Sequence, residues 1–238
     1  MRAAPSREHR RVLDAWLDLT TGSCCVQCEA SGRLLCRRCS AELPGRGVAT
    51  SPDPCPPGLA AAAVGGVYGG VLRSMVLAHK ERRAFSLARP LGRVLAVAVG
   101  ELTTDGVLML VPVPSRRSVV VARGHDPMLR MTRQAATLLR RDGYDVGVAR
   151  LLRQATRVDD QAGLDSATRQ RNLAGSMAAR TGALRALARD GRPVAAVVCD
   201  DVLTTGSTAR EAQRALESVG VPVAGIACVA GTVRRYGR

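Results

Sequence analysis

The chain of 238 residues is long enough for one large domain, or for one domain with a small appendage. Hydrophobic residues make up 46% and aromatics only 2%, so the core must be built from Val, Leu and Ala, which suits helices packed on a parallel sheet. The formal charge of +15 favours anionic partners such as phosphates or nucleic acid, but Lys80 is the only lysine among 35 basic residues, a compositional habit that lessens the weight of the charge.

Near the N-terminus, Val12, Leu13, Trp16 and Leu19 fall on one face of a predicted helix. The segment SCCVQCEASGRLLCRRC follows, with Cys25-x-x-Cys28 and, seven residues on, Cys36-x-x-Cys39. Two such knuckles can present four thiolates tetrahedrally to Zn²⁺, with Cys24 the alternative to Cys25 in a shifted register. No secretory-type apolar segment and no membrane-length apolar run is present. A cytoplasmic protein without membrane insertion is expected, its cysteines metal-bound or free rather than disulfide-paired. Residues 1–44 are read as helix plus zinc module. Residues 45–58, rich in Pro, Gly and Ser, read as a linker, and 59–238 as one α/β domain.

Within that domain, 60–68 predicts a strand closing in a Gly-rich turn, and 72–80 and 87–102 predict helices. The run 107–114 is a buried strand closed by Pro112 and Pro114, and Asp126-Pro127 starts a helix that reaches residue 142. Residues 148–154 read as a strand and 161–177 as a polar connection. The run 193–199 is the next buried strand, 207–220 a helix ending at Gly220, and 221–230 a last strand. Strand and helix alternating from about residue 105 predict parallel βαβ units.

The strand 193–199 runs into Asp200-Asp201 and then into Thr204-Thr205-Gly206-Ser207-Thr208 before a helix. Ligands in open parallel sheets sit at strand carboxyl ends, and a helix N-terminus favours an anion. Gly206 lets backbone approach closely, and the hydroxyls can donate to phosphate oxygens. The Walker spacing and its lysine are missing. A phosphate cradle beside two acids asks for a ligand with both a phosphate and neutral hydroxyls, as in a ribose 5-phosphate. Thr208 and Glu211 also match a capping box, which would explain the helix start but not the acids.

VVCDDVLTTGSTA resembles the phosphoribosyl-pyrophosphate (PRPP) signature of type I phosphoribosyltransferases. The strand ending at Pro114 opens into Ser115, Arg116 and Arg117 and then Arg123-Gly124, a basic stretch suited to a pyrophosphate. With Arg153, Thr156, Asp159, Leu164, Arg169 and Asn172, and with Gln161 two residues beyond its regular place, these segments resemble the ComF family, a bacterial branch of that fold associated with DNA uptake. After Arg123-Gly124 the chain has His125-Asp126-Pro127 where that family has an aromatic and then Asn-Gln.

The resemblance spans roughly residues 16–235. It implies a type I phosphoribosyltransferase-like α/β fold, a mainly parallel sheet with flanking helices, and an N-terminal cysteine module. It also implies that Asp200 and Asp201 are catalytic and bind PRPP, together with Thr204 to Thr208 and the 115–117 loop. Arg123 and Lys80 are further expected PRPP ligands, Lys80 standing where the family has a lysine. Arg153, Thr156, Gln161, Arg169 and Asn172 would belong to a flexible flap over PRPP. His9, His79 and His125 are too scattered in sequence to form a ligand set.

Two functions are open to such a chain. One is phosphoribosyl transfer from PRPP to an acceptor, with Mg²⁺ bridging pyrophosphate oxygens and ribose hydroxyls. The other is a non-catalytic PRPP- or nucleotide-binding protein that binds single-stranded DNA or a DNA-uptake helicase. Trp16, Tyr68, Phe85, Tyr144 and Tyr236 are scattered rather than gathered as a stacking platform.

Overall fold

The apolar run Val194–Leu203 becomes the central pairing partner of a six-stranded sheet. The computed structural model describes residues 23–102, 106–155, 175–182 and 194–232. The predicted N-terminal helix lies outside them. The strands are β1 (Val48–Thr50), β2 (Ala62–Val64), β3 (Val107–Pro112), β4 (Val146–Val148), β5 (Leu152–Gln154), β6 (Met177–Ala179), β7 (Val194–Leu203) and β8 (Val223–Gly231). The main sheet runs β1-β2-β8-β7-β3-β4, and β5 pairs with β6 in a separate antiparallel hairpin. Only β1 is antiparallel within the main sheet; the other neighbours are parallel. The helices are α1 (Arg37–Ala41), α2 (Gly70–Glu81), α3 (Ala88–Gly100), α4 (Arg117–Arg123), α5 (Pro127–Arg141) and α6 (Ser207–Glu217).

Alternation along the strands builds two cores, one on each face of the sheet. Val197 and Cys199 of β7 join Leu108 and Leu110 of β3 beneath α2, α3 and α5. Ala196 and Val198 join Ile226 and Cys228 of β8 beneath α6. The acid-proline helix start is realised in α5: Pro127 opens it and the Asp126 carboxylate accepts from the Leu129 N–H at 3.0 Å. Cys25, Cys39 and Leu43 are buried in the first core, so the cysteine module is packed onto the α/β body. Among the described residues no helix is long and apolar enough to cross a membrane.

Four local readings change. The buried strand does not stop before the acids: β7 continues through Asp200 and Asp201 to Leu203, because β8 extends beside it to Gly231. The predicted strand 148–154 divides into β4 and β5, because the chain crosses the sheet edge there. Val146 belongs to the first core, whereas Leu151 and Leu152 belong to the second. The arginine loop after β3 is mostly the short helix α4, which opens at Arg117. The Pro-rich stretch 45–58 contributes β1, hydrogen-bonded along β2.

Candidate functional site

β3 and β7 lie side by side and parallel, yet their connections leave in opposite directions. From β3 the chain goes through α5 over the first core, and from β7 through α6 over the second. Such a pair of strands leaves a crevice between the two outgoing loops, the place where ligands bind in open α/β sheets.

Pro112 and Cys199 are the last partners of β3 and β7, so Asp200 and Asp201 stand just past the paired part, at the mouth of that crevice. The period of two continues through them. Asp201, 8% exposed, is ion-paired with Lys80 in the last turn of α2. Asp200 is half-buried, and its Oδ1 accepts from the Asp201 N–H at 2.9 Å. Burial and the neighbouring Asp201 charge push the Asp200 carboxyl up to about 7, against the pull of that N–H and of Lys80. A cation or a hydroxyl donor beside Asp200 would favour its charged form.

Past Leu203, the exposed Thr204 and Thr205 lead into Gly206, the N-cap of α6, at a left-handed φ of 71°. A side chain here would be strained and also blocked, since a Cβ would lie 2.8 Å from Pro52 Cγ and 3.1 Å from Leu59 Cδ2. The Thr205 and Ser207 hydroxyls are 3.0 Å apart, and the Ser207 N–H makes only a long 3.5 Å contact to Thr205 Oγ1. Gly206 supplies no side-chain cap, which leaves the first N–H groups of α6 for an anion.

Residues 52–60 back this loop as a strap. Arg210 Nε donates to the Pro57 carbonyl at 3.0 Å. Gln213 donates to the Gly58 carbonyl at 3.0 Å and accepts from the Ala60 N–H at 2.9 Å. Composition marked this stretch only by its turn residues, because nothing local distinguishes a free proline from one packed under a helix.

The capping box is not formed. Gly206 rather than Thr208 caps α6, because its left-handed turn starts the helix earlier. Glu211 is instead buried and bonded to Arg214 and to the backbone of Met177.

On the β3 side, half-buried Ser115 and exposed Arg116 follow Pro114, and Arg116 caps α4. Arg123 ends α4 and pairs with Glu81 of α2. The fold brings together two of the scattered histidines. His125 is buried, with Nε2 3.2 Å from the His79 carbonyl oxygen and its ring edge-on to Phe85 at 4.6 Å. His79 Nδ1 lies 3.0 Å from the Ala84 carbonyl oxygen, and burial lowers its pKa below the usual value. These are packing histidines. They and Glu81 moor the last turn of α2, which carries Lys80. Arg153 is exposed on β5. Thr156, Gln161, Arg169 and Asn172 lie outside the described residues.

The cysteine knuckles converge. The sulfurs of Cys25, Cys28, Cys36 and Cys39 all lie within 4.8 Å of one another, and the four residues are positioned to bind a metal ion. A tetrahedral zinc thiolate set, with bonds of about 2.3 Å, needs sulfurs about 3.8 Å apart, so little contraction closes the site. The N–H of Cys36 points to Cys25 Sγ and the N–H of Cys39 to Cys36 Sγ, both at 3.5 Å. Burial works against a thiolate at Cys25, but the backbone N–H groups of Cys36, Cys28 and Gln27 outweigh it and bring its pKa to about 6. Cys24 forms a backbone bridge with Ser31 and is not in the group, which fixes the register on Cys25. Cys55 is exposed, whereas Cys199 and Cys228 are buried and their thiols pushed up by burial. No family model matches the chain, and no curated protein matches it.

Proposed function

We propose that the crevice between β3 and β7 binds PRPP or a related ribose 5-phosphate ligand, and that the protein is a cytoplasmic phosphoribosyltransferase of the ComF type with a structural zinc in its cysteine module. The observation that carries this reading is the acid pair at the end of β7, directly before a glycine-capped helix start and at the switch point of the sheet. A simple anion site would have no use for two carboxylates, because they would repel the anion. A phosphoribosyl group uses both parts: its 5-phosphate on the Thr204–Thr208 loop, its 2- and 3-hydroxyls on Asp200 and Asp201. Its pyrophosphate would then extend toward Ser115, Arg116 and Arg117, with Lys80 and Arg123 close by.

In that reading Lys80 serves Asp201 as counter-ion until ligand arrives. Mg²⁺ would supply charge neutralisation for the departing pyrophosphate while keeping waters of its own. The chain's own task is to hold the sugar in line, neutralise charge and exclude water around an oxocarbenium-like transition state.

Calorimetry with PRPP and Mg²⁺, paired with a pyrophosphate-release assay across bases and amines, tests the proposal. Wild type should bind, and Asp200→Asn with Asp201→Asn should abolish binding while the fold survives. Undiminished affinity in the double variant would overturn it. Binding without release for any acceptor would favour the alternative, a PRPP-binding protein that acts in DNA uptake on single-stranded DNA.

A further inference from the structure

The β5–β6 hairpin joins the two loops of the crevice from outside the main sheet. Its hydrogen-bonded positions include Ala155 N–H to the Ser176 carbonyl and Arg180 N–H to the Leu151 carbonyl, both at 2.7 Å. The Gln154–Met177 pair between them is therefore the non-hydrogen-bonded kind, whose backbone groups point away from the partner strand. A third strand would normally take those groups. Here α6 takes them with side chains: the Met177 N–H donates to Glu211 Oε1 at 3.0 Å, and the Met177 carbonyl accepts from Arg214 Nη2 at 3.1 Å.

Glu211 and Arg214 are also bonded to each other twice, at 2.7 and 2.8 Å, so the clamp is a charged fork rather than two independent contacts. Glu211 is only 5% exposed. Burial raises its pKa, but Arg214 and the Met177 N–H outweigh that and hold the carboxyl below its usual range. On the other leg of the hairpin, Gln154 Nε2 donates to the carbonyl of Pro114 at 2.9 Å. Pro114 is the residue before Ser115 and Arg116. A continuous path thus runs from the Gly206 loop through α6, Met177 and Gln154 to the loop after β3.

We infer that Glu211, Arg214 and Gln154 are positioning residues, and that the hairpin they clamp is a strut fixing the spacing between the Gly206 loop and the Ser115–Arg116 loop. The inference rests on the PRPP reading for its ligand. A molecule with a phosphate at one end and a pyrophosphate at the other gains from both loops only when they are held at its length. Loosening the strut makes the second contact costly, because the loops must be ordered on binding. Ligands that touch one loop alone are indifferent to the spacing.

The test is titration of wild type, Glu211→Gln and Gln154→Ala with PRPP, with inorganic pyrophosphate and with ribose 5-phosphate. Glu211→Gln keeps the size and an acceptor oxygen but loses the charge, and Gln154 is only half-buried, so one variant serves if the other folds poorly. PRPP affinity should fall about tenfold in each variant while the two half-ligands stay within about twofold of wild type. Equal losses for all three ligands, or unchanged PRPP affinity, would overturn the strut's role. If wild type binds none of the three, the PRPP reading falls and takes the ligand half of this inference with it. The strut is then judged in the free protein by amide exchange. Faster exchange at Met177–Ala179 in Glu211→Gln, with β7 unchanged, upholds it, and identical rates overturn it.

Discussion

Asp200 is held in the free protein at a cost that a ligand would relieve. Burial and the charge of Asp201 push its carboxyl up to about 7 in the folded chain, from an ordinary value of 3.8. Between those values the folded chain binds a proton that the unfolded chain has lost, so the stability tied to this group falls as pH climbs through that window. Asp200→Asn cannot ionise. It should therefore melt above wild type at pH 8, by a margin that shrinks on acidification and is gone below about pH 4. Thermal melts across the pH range check this. A variant less stable than wild type at pH 8, or a margin independent of pH, would contradict the geometry given for the pair. The charge of Lys80, which pairs with Asp201, opposes the rise at Asp200 but does not cancel it.

The elements around the loop divide the work between backbone shape and packing. Gly206 and Gly220 both adopt left-handed backbone, with φ of 71° and 78°. A side chain at Gly220 would meet nothing within 4 Å, whereas one at Gly206 would strike Pro52 and Leu59 of the strap. Gly220→Ala should thus cost only the backbone strain, about 1–2 kcal/mol. Gly206→Ala should cost more, since the strap or the loop must also move, and it should weaken ligand binding where Gly220→Ala does not. Denaturant unfolding of both variants reads the difference. Equal costs would mean that the strap yields freely and lends the loop no rigidity. The same argument makes Arg210 and Gln213 supports of the loop, since they fasten residues 57–60 to α6.

At the scale of the whole molecule, the cysteine module and the crevice share one core. Cys25 and Cys39 are buried with Val76 of α2 and Leu87, and α2 carries Lys80 to Asp201. Purified protein should contain about one zinc per chain, and chelation should lower the melting temperature of the entire protein rather than release the module alone. Element analysis and melting with and without a chelator test this. Metal-free protein with an unchanged melting temperature would sever the cysteine cluster from the stability of the fold.

By itself the sequence determined what depends on near neighbours. Continuous apolar runs placed β3, β7 and β8, the helical period placed α2, α3 and α5, and Asp126-Pro127 marked a true helix start. The spacing of two C-x-x-C knuckles foretold a four-sulfur cluster, and the acids before a Thr-Gly loop marked the carboxyl end of a strand. Each of these is a property of a stretch a few turns long. Tertiary structure alone decided the rest. Cys25 over Cys24 was fixed by the backbone bridge at Ser31, and Asp201 met Lys80 from an element far away in sequence. The division of 148–154 followed from the chain crossing the sheet edge, which no local pattern records. Glu211 gave up a capping role for the backbone of Met177, because a buried carboxylate takes the donors that the fold brings to it, and those donors belong to another part of the chain.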